Sequence, residues 1–141
     1  MTQVRRAYQQ AVLVPMHNME VLWREWEQHE NSLDKTLAKR LMDEYKPKHA
    51  AAKQVYRSRK KMWENIQTDV LALPPASLPI QELQFHLWST LLEYERSNPQ
   101  RLQPVMHDAR VRFTYNQALM CMQYYPAIWY DFAQWCILHS S

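Results

Sequence analysis

The sequence predicts an all-α fold, a solenoid of antiparallel helix hairpins, and three observations carry that expectation. None of the 141 residues is glycine, although eight are proline. Tight hairpins, bulges and phosphate loops need glycine's freedom at positive φ, whereas helix–helix connections manage with proline, asparagine and serine. Two aromatic patterns alternate along the chain, each with residues three, six or seven positions apart, the spacing of one helix face. Pro15 and Pro126 fall at joints between the patterns, where proline stops one helix or starts the next.

The elements follow in order. A first helix over about residues 3–14 carries a tyrosine pattern, here termed B: Arg5-Arg6-Ala7-Tyr8, continuing to Ala11-Val12. The first repeat, about residues 19–67, opens on a tryptophan pattern, termed A: Leu22-Trp23, then Trp26, His29 and Glu30. Its middle is stretched. Asn31 to Tyr45 reads as additional helix, with Leu33, Leu37, Leu41 and Tyr45 at offsets of four. Lys46-Pro47-Lys48 is expected to break it, and a long B helix to run from about His49 to Gln67, carrying Lys53-Gln54-Val55-Tyr56.

Residues 72–79, rich in proline, form the clearest loop, a connector inside the array. The second repeat, about residues 80–124, repeats pattern A as Leu87-Trp88, Leu91, Tyr94 and Glu95. Asn98-Pro99 reads as an N-cap with proline at the first helical position. Pattern B returns as Arg112-Phe113-Thr114-Tyr115 with Ala118-Leu119, where alanine lets a neighbouring helix come close. The A helix of a third repeat, about residues 127–139, carries Ile128-Trp129, Phe132, Trp135 and Cys136. Such hairpins bury apolar residues against their neighbours, which makes a solenoid. The chain opens on B and closes on A, so it is expected to be an excerpt of a longer array.

Trp-x-x-aromatic-x-x-ring-Glu alternating with Arg-x-x-Tyr-x-x-Ala-Leu resembles the half-a-tetratricopeptide (HAT) repeat, a TPR-like motif of proteins that assemble RNA-processing machines. Longer stretches are similar to the suppressor-of-forked family, the large HAT-repeat subunit of cleavage stimulation factor. They are Leu22 to Glu30, Leu37-Ala38-Lys39, Val55-Tyr56-Arg57, Asn98 to Arg101, Phe113 to Leu119 and Tyr125 to Asp131. The extended B repeat and the Pro74-Pro75 loop occur at the corresponding place in that family. The resemblance implies a nuclear scaffold for cleavage and polyadenylation of pre-mRNA, with other subunits of that machinery as partners. It also implies homodimers of the full-length array; RNA is a possible partner, with the contact expected to be indirect. Cys136 departs from the motif, since the other two A helices carry Glu there. A B-helix base expected to pair with that acid loses its partner.

Other functional classes find little support. Trp23, Trp88 and Trp129 could stack on bases, but recurrence at one position of every A helix favours packing, as it does for Tyr8, Tyr56 and Tyr115. Glu30 and Glu95 could form an acid/base pair, yet their equivalent repeat positions favour structural ion pairs. Trp26, Tyr94, Trp135 and Arg112 complete the repeat signature. The six histidines are scattered, with no nucleophile arrangement. The reading is a protein without catalysis, cofactor or metal site. Cys121 and Cys136 are too few for a disulfide framework and read as small apolar side chains. With His107 and His139 they match no compact metal-ligand spacing.

No apolar run approaches the roughly 18 residues of a membrane span, and residues 1–10 lack a signal-peptide core. No membrane partner is expected. Charge is uneven: residues 35–61 hold ten Lys and Arg against Asp43 and Glu44, or +8, while the rest carries −5 of the net +3. Lys53, Arg57, Lys60 and Lys61 share one helix face there. That patch could meet RNA or an acidic partner segment, or be a solvated face.

Overall fold

In the computed structural model, which describes residues 2–139, the regular elements are all helices. They are α1 (Thr2–Ala11), α2 (Met19–Leu33), α3 (Lys35–Trp63), α4 (Pro79–Arg96), α5 (Pro104–Met122) and α6 (Pro126–His139). The chain divides into two compact units, residues 1–59 and 60–141, and α3 runs across the division.

In the first unit α1 packs on α2, and the core is built on Val12, Trp26 and Met42. Trp26 meets Trp23 and Tyr45 edge-on, with ring centroids 5.6 and 5.3 Å apart. Edge-to-face contact sets the positive rim of one ring against the negative face of another, adding about 0.5–1.5 kcal/mol per pair to area burial. Helix α2 ends at Asp34, which interrupts the helix expected from Asn31 to Tyr45. The reason is local: Asp34 is extended at φ −160°, and its Oδ1 accepts from the N–H groups of Thr36 and Leu37 at 2.9 and 3.3 Å. A carboxylate satisfying the first free N–H groups of a new helix is a strong start signal.

The expected break at Lys46-Pro47-Lys48 does not occur. Helix α3 is continuous from Lys35 to Trp63, with Pro47 inside it. Proline in mid-helix costs about 3 kcal/mol, because it removes one N–H and crowds the carbonyl four residues back. Tertiary packing on both sides outweighs that penalty. Ala38 and Met42 are buried before the proline, and His49, Ala52 and Val55 after it. His49 is anchored twice, its ring 4.7 Å from Trp23 in a stack and its Nδ1 2.8 Å from the Val12 carbonyl oxygen. A carbonyl can only accept, so Nδ1 carries the proton. The helix ends at Trp63, four residues short of the expected Gln67.

In the second unit α4 packs on α5, and α5 on α6. The core includes Ile66, Trp88, Leu91, Leu92, Val111 and Tyr115. Trp63 meets Trp88 edge-on at 5.2 Å. Residues 66–78 contain no helix. Gln84 staples the start of this stretch, accepting from the Gln67 N–H and donating to the Asn65 carbonyl, both at 2.9 Å.

Asn98-Pro99 ends a helix and does not start one. Asn98 is left-handed at φ 56°, just past the last turn of α4. Its side chain clamps Leu102, accepting from the N–H at 2.8 Å and donating to the carbonyl at 2.9 Å. Asparagine tolerates the left-handed region that usually requires glycine at this position. The proline that opens α5 is Pro104, behind an extended Gln103.

Candidate interaction surface

Each recurring carboxylate of pattern A is tied down. Glu30 is 1% exposed and bound by two nitrogens of Arg5 from α1, with Nε to Oε1 and Nη2 to Oε2 both 2.9 Å. The fork-on-fork geometry is the strong form of the arginine–carboxylate bond. The Arg5 hydrogen bonds hold the Glu30 carboxyl below its ordinary range, against the opposing effect of burial. Glu95, also buried, accepts from Arg110 Nε at 2.9 Å. Arg110 comes from the following helix, α5, where Arg5 came from the preceding one. Glu30 belongs to the first unit and Glu95 to the second, and each has its own arginine.

At the third copy the expected loss is made good within one helix. Arg112 stands at the repeat position of Arg5, and its Nη1 lies 3.3 Å from Cys136 Sγ, where the acid would be. Its Nε donates instead to Asp108, one turn earlier, at 2.7 Å. Trp135 Nε1 donates to the other oxygen of Asp108 at 2.9 Å. Burial alone would raise the Asp108 carboxyl; Arg112 and Trp135 more than offset it and hold it low.

A three-helix polar network was not anticipated from sequence. Arg96 Nη1 donates to Tyr115 Oη and to Asp131 Oδ2, both at 2.6 Å, and Tyr115 Oη donates to the same Asp131 oxygen at 2.7 Å. These residues stand on α4, α5 and α6. Burial pushes the Tyr115 hydroxyl up to about 12. The Tyr115 ring stacks on Phe132 at 4.8 Å.

The remaining signature residues differ in exposure. Trp88 is buried at 1%, Trp23 is half-buried, and Trp129 is 50% exposed. Packing between helices, expected for Trp129, is thus incomplete: its Nε1 donates to the Gln123 carbonyl at 2.7 Å, holding the indole over the turn before α6. Tyr8 is half-buried beside His29, and the Tyr56 hydroxyl meets His17 Nδ1 at 3.2 Å. Trp135 is buried and Tyr94 half-buried. Burial, with the charge of Asp69, raises the Cys121 thiol, which opposes thiolate chemistry.

Lys53 pairs with Glu20 at 3.3 Å, and Arg57 is exposed in the first unit. Lys60 and Lys61 are exposed at the start of the second. Among the described residues no group of three or more His, Cys, Asp or Glu converges as a metal site. Nor is any helix there long and apolar enough to cross a membrane. What the geometry offers is a set of packed helical repeats in which the recurring carboxylates Glu30 and Glu95 are each bound by an arginine.

Comparison with known proteins agrees with the repeat. The family model described as suppressor of forked protein (Suf) matches residues 1–141. Cleavage stimulation factor subunit 77 of Arabidopsis thaliana is 41% identical over 140 residues, covering 99% of this chain and 19% of that protein. The mRNA 3′-end-processing protein rna-14 of Neurospora crassa is 33% identical, over 96% of this chain and 12% of its own length. Protein suppressor of forked of Drosophila melanogaster is 28% identical, over 94% and 18%. The chain thus spans less than a fifth of the length of these relatives. With its alternating A and B helices and a family match over every residue, the chain belongs to the suppressor-of-forked family of HAT-repeat proteins.

Proposed function

We propose that this chain is a repeat segment of a non-catalytic scaffold in the nuclear machinery that cleaves and polyadenylates pre-mRNA. It holds other subunits of that machinery by shape and surface. The observation that carries this reading is the family match across the whole chain, to relatives named for 3′-end processing. The structure adds a physical reason: the buried carboxylates Glu30 and Glu95 are neutralised by arginines, which suits packing and leaves neither free for proton transfer. RNA contact is mainly indirect, through partner subunits, and the full-length array pairs into dimers. The test is rapid depletion of the full-length protein in its own cells, followed by mapping of transcript 3′ ends. Read-through past normal cleavage sites is the expected result. Unchanged 3′ ends together with retained introns or unprocessed ribosomal RNA would overturn the reading.

A further inference from the structure

The first unit carries a groove of about 470 Å³ between α2 and α3. Its walls include Trp23, Arg24, Lys46, His49 and Lys53, with Glu20 the one acid. From this geometry we infer that the groove docks an extended acidic peptide segment of a partner protein, with two carboxylates flanking an apolar side chain. This goes beyond the assembly role proposed above and holds whichever machine the array serves.

Charge, spacing and ring placement all favour that occupant. Three cations face one carboxylate. Glu20 is 59% exposed, so its pairing with Lys53 is a weak surface bridge that leaves the ammonium open to a second carboxylate. Lys46 and Lys53 are two turns apart on α3, or about 10.5 Å along its axis at about 1.5 Å per residue. An extended peptide in the polyproline II conformation, with three residues per turn and about 3.1 Å per residue, covers about that distance in three residues and returns its side chains to the same face. Arg24, on the opposite wall, presents a planar fork suited to a carboxylate. Between the cations the wall carries Trp23 and Ala50 beside the His49 ring, and accepts one apolar side chain.

Single-stranded RNA fits less well. A base platform needs an open ring face. One face of Trp23 is already stacked on His49, and Trp23 also packs against Trp26 at a near-perpendicular angle.

The test uses the purified full-length chain and fluorescence anisotropy. The probes are labelled peptides with two glutamates three residues apart around Phe, Leu or Trp, their glutamine counterparts, and a labelled oligouridine. Binding of the glutamate peptides alone is expected. Lys46→Glu or Arg24→Glu should each weaken it by about tenfold, and added salt should weaken it further. Lys39→Glu, an exposed change of equal charge on the same helix outside the groove, should leave it unchanged, and circular dichroism should show each variant folded. The inference fails if no glutamate peptide binds, if glutamine peptides bind equally, if Lys39→Glu weakens binding as much as Lys46→Glu, or if oligouridine binds in preference.

Discussion

Replacing Tyr115 by phenylalanine removes one hydroxyl and keeps the ring stacked on Phe132. The hydroxyl lies 2.6 Å from Arg96 and 2.7 Å from Asp131, both charged. Hydrogen bonds to charged groups contribute about 1.5–3 kcal/mol. Arg96 and Asp131 still hold each other at 2.6 Å when the hydroxyl is gone, so neither is orphaned. Asp131 is also 46% exposed, which weakens its bonds further. The expected cost at neutral pH is therefore low in that range, about 1–2 kcal/mol.

The same hydroxyl makes stability depend on pH. Its pKa rises from 10.0 to about 12 on folding, chiefly through burial. A raised folded pKa stabilises the fold fully below the unfolded value, and that stability is lost as pH rises towards the folded value. A shift of that size corresponds to at most about 2.7 kcal/mol. Solvent access to its partners reduces the expected loss to about 1–2 kcal/mol by pH about 11.5. Guanidinium unfolding followed by tryptophan fluorescence, in steps from about pH 8 upward, gives both numbers. Wild type should lose its advantage over Tyr115→Phe above pH about 10. Parallel curves above that pH, or equal stabilities at neutral pH, would refute the network argument.

Three further outcomes follow from the packing. Arg5→Met strands the Glu30 carboxylate in a 1% exposed position and should cost about 2–3 kcal/mol, less than a fully buried pair because Arg5 is 31% exposed. Adding Glu30→Gln should recover part of it, and a calorimetric double-mutant cycle showing simple additivity would contradict the pairing. Because folding lowers the Glu30 pKa, that stability is present above the ordinary carboxylate pKa and lost as pH falls through the folded one, so Glu30→Gln should flatten the acid limb. Pro47→Ala restores an N–H inside α3 and should stabilise the chain by about 1–2 kcal/mol, the helix gain less the lost rigidity of the unfolded chain; a lower denaturation midpoint would mean the proline is needed. Gln84→Ala removes both staples on residues 65–67, costing about 1–3 kcal/mol and speeding limited proteolysis of the 66–78 stretch.

Helix content and the alternation of A and B were legible because both are local: periodicity, proline at joints and the absence of glycine depend only on neighbouring residues. Where the reading failed, a distant contact decided. Pro47 breaks an isolated helix, but Val12 and Trp23 hold His49 in place one half-turn later. Asn98-Pro99 looks the same in sequence whether it opens or closes a helix; the clamp on Leu102 and the left-handed φ make it a terminator. Trp88 and Trp129 occupy one motif position, yet the first is buried in the second unit's core with Trp63 edge-on against it, while the second rests on a turn. Nothing local paired Arg96 with Asp131: they are 35 residues apart, and Arg96 has no basic counterpart in the other A helices. For Glu30, Glu95 and Arg112 recurrence pointed to the positions, but not to which helix supplies each partner.

The most direct measurement of the central claim is purification of the full-length protein from its own cells under nuclease treatment, with mass spectrometry of what accompanies it. The account predicts subunits of the cleavage and polyadenylation machinery, retained without RNA. Spliceosomal or nucleolar proteins in their place would contradict it, and partners lost on nuclease treatment would contradict a scaffold that works through protein surfaces.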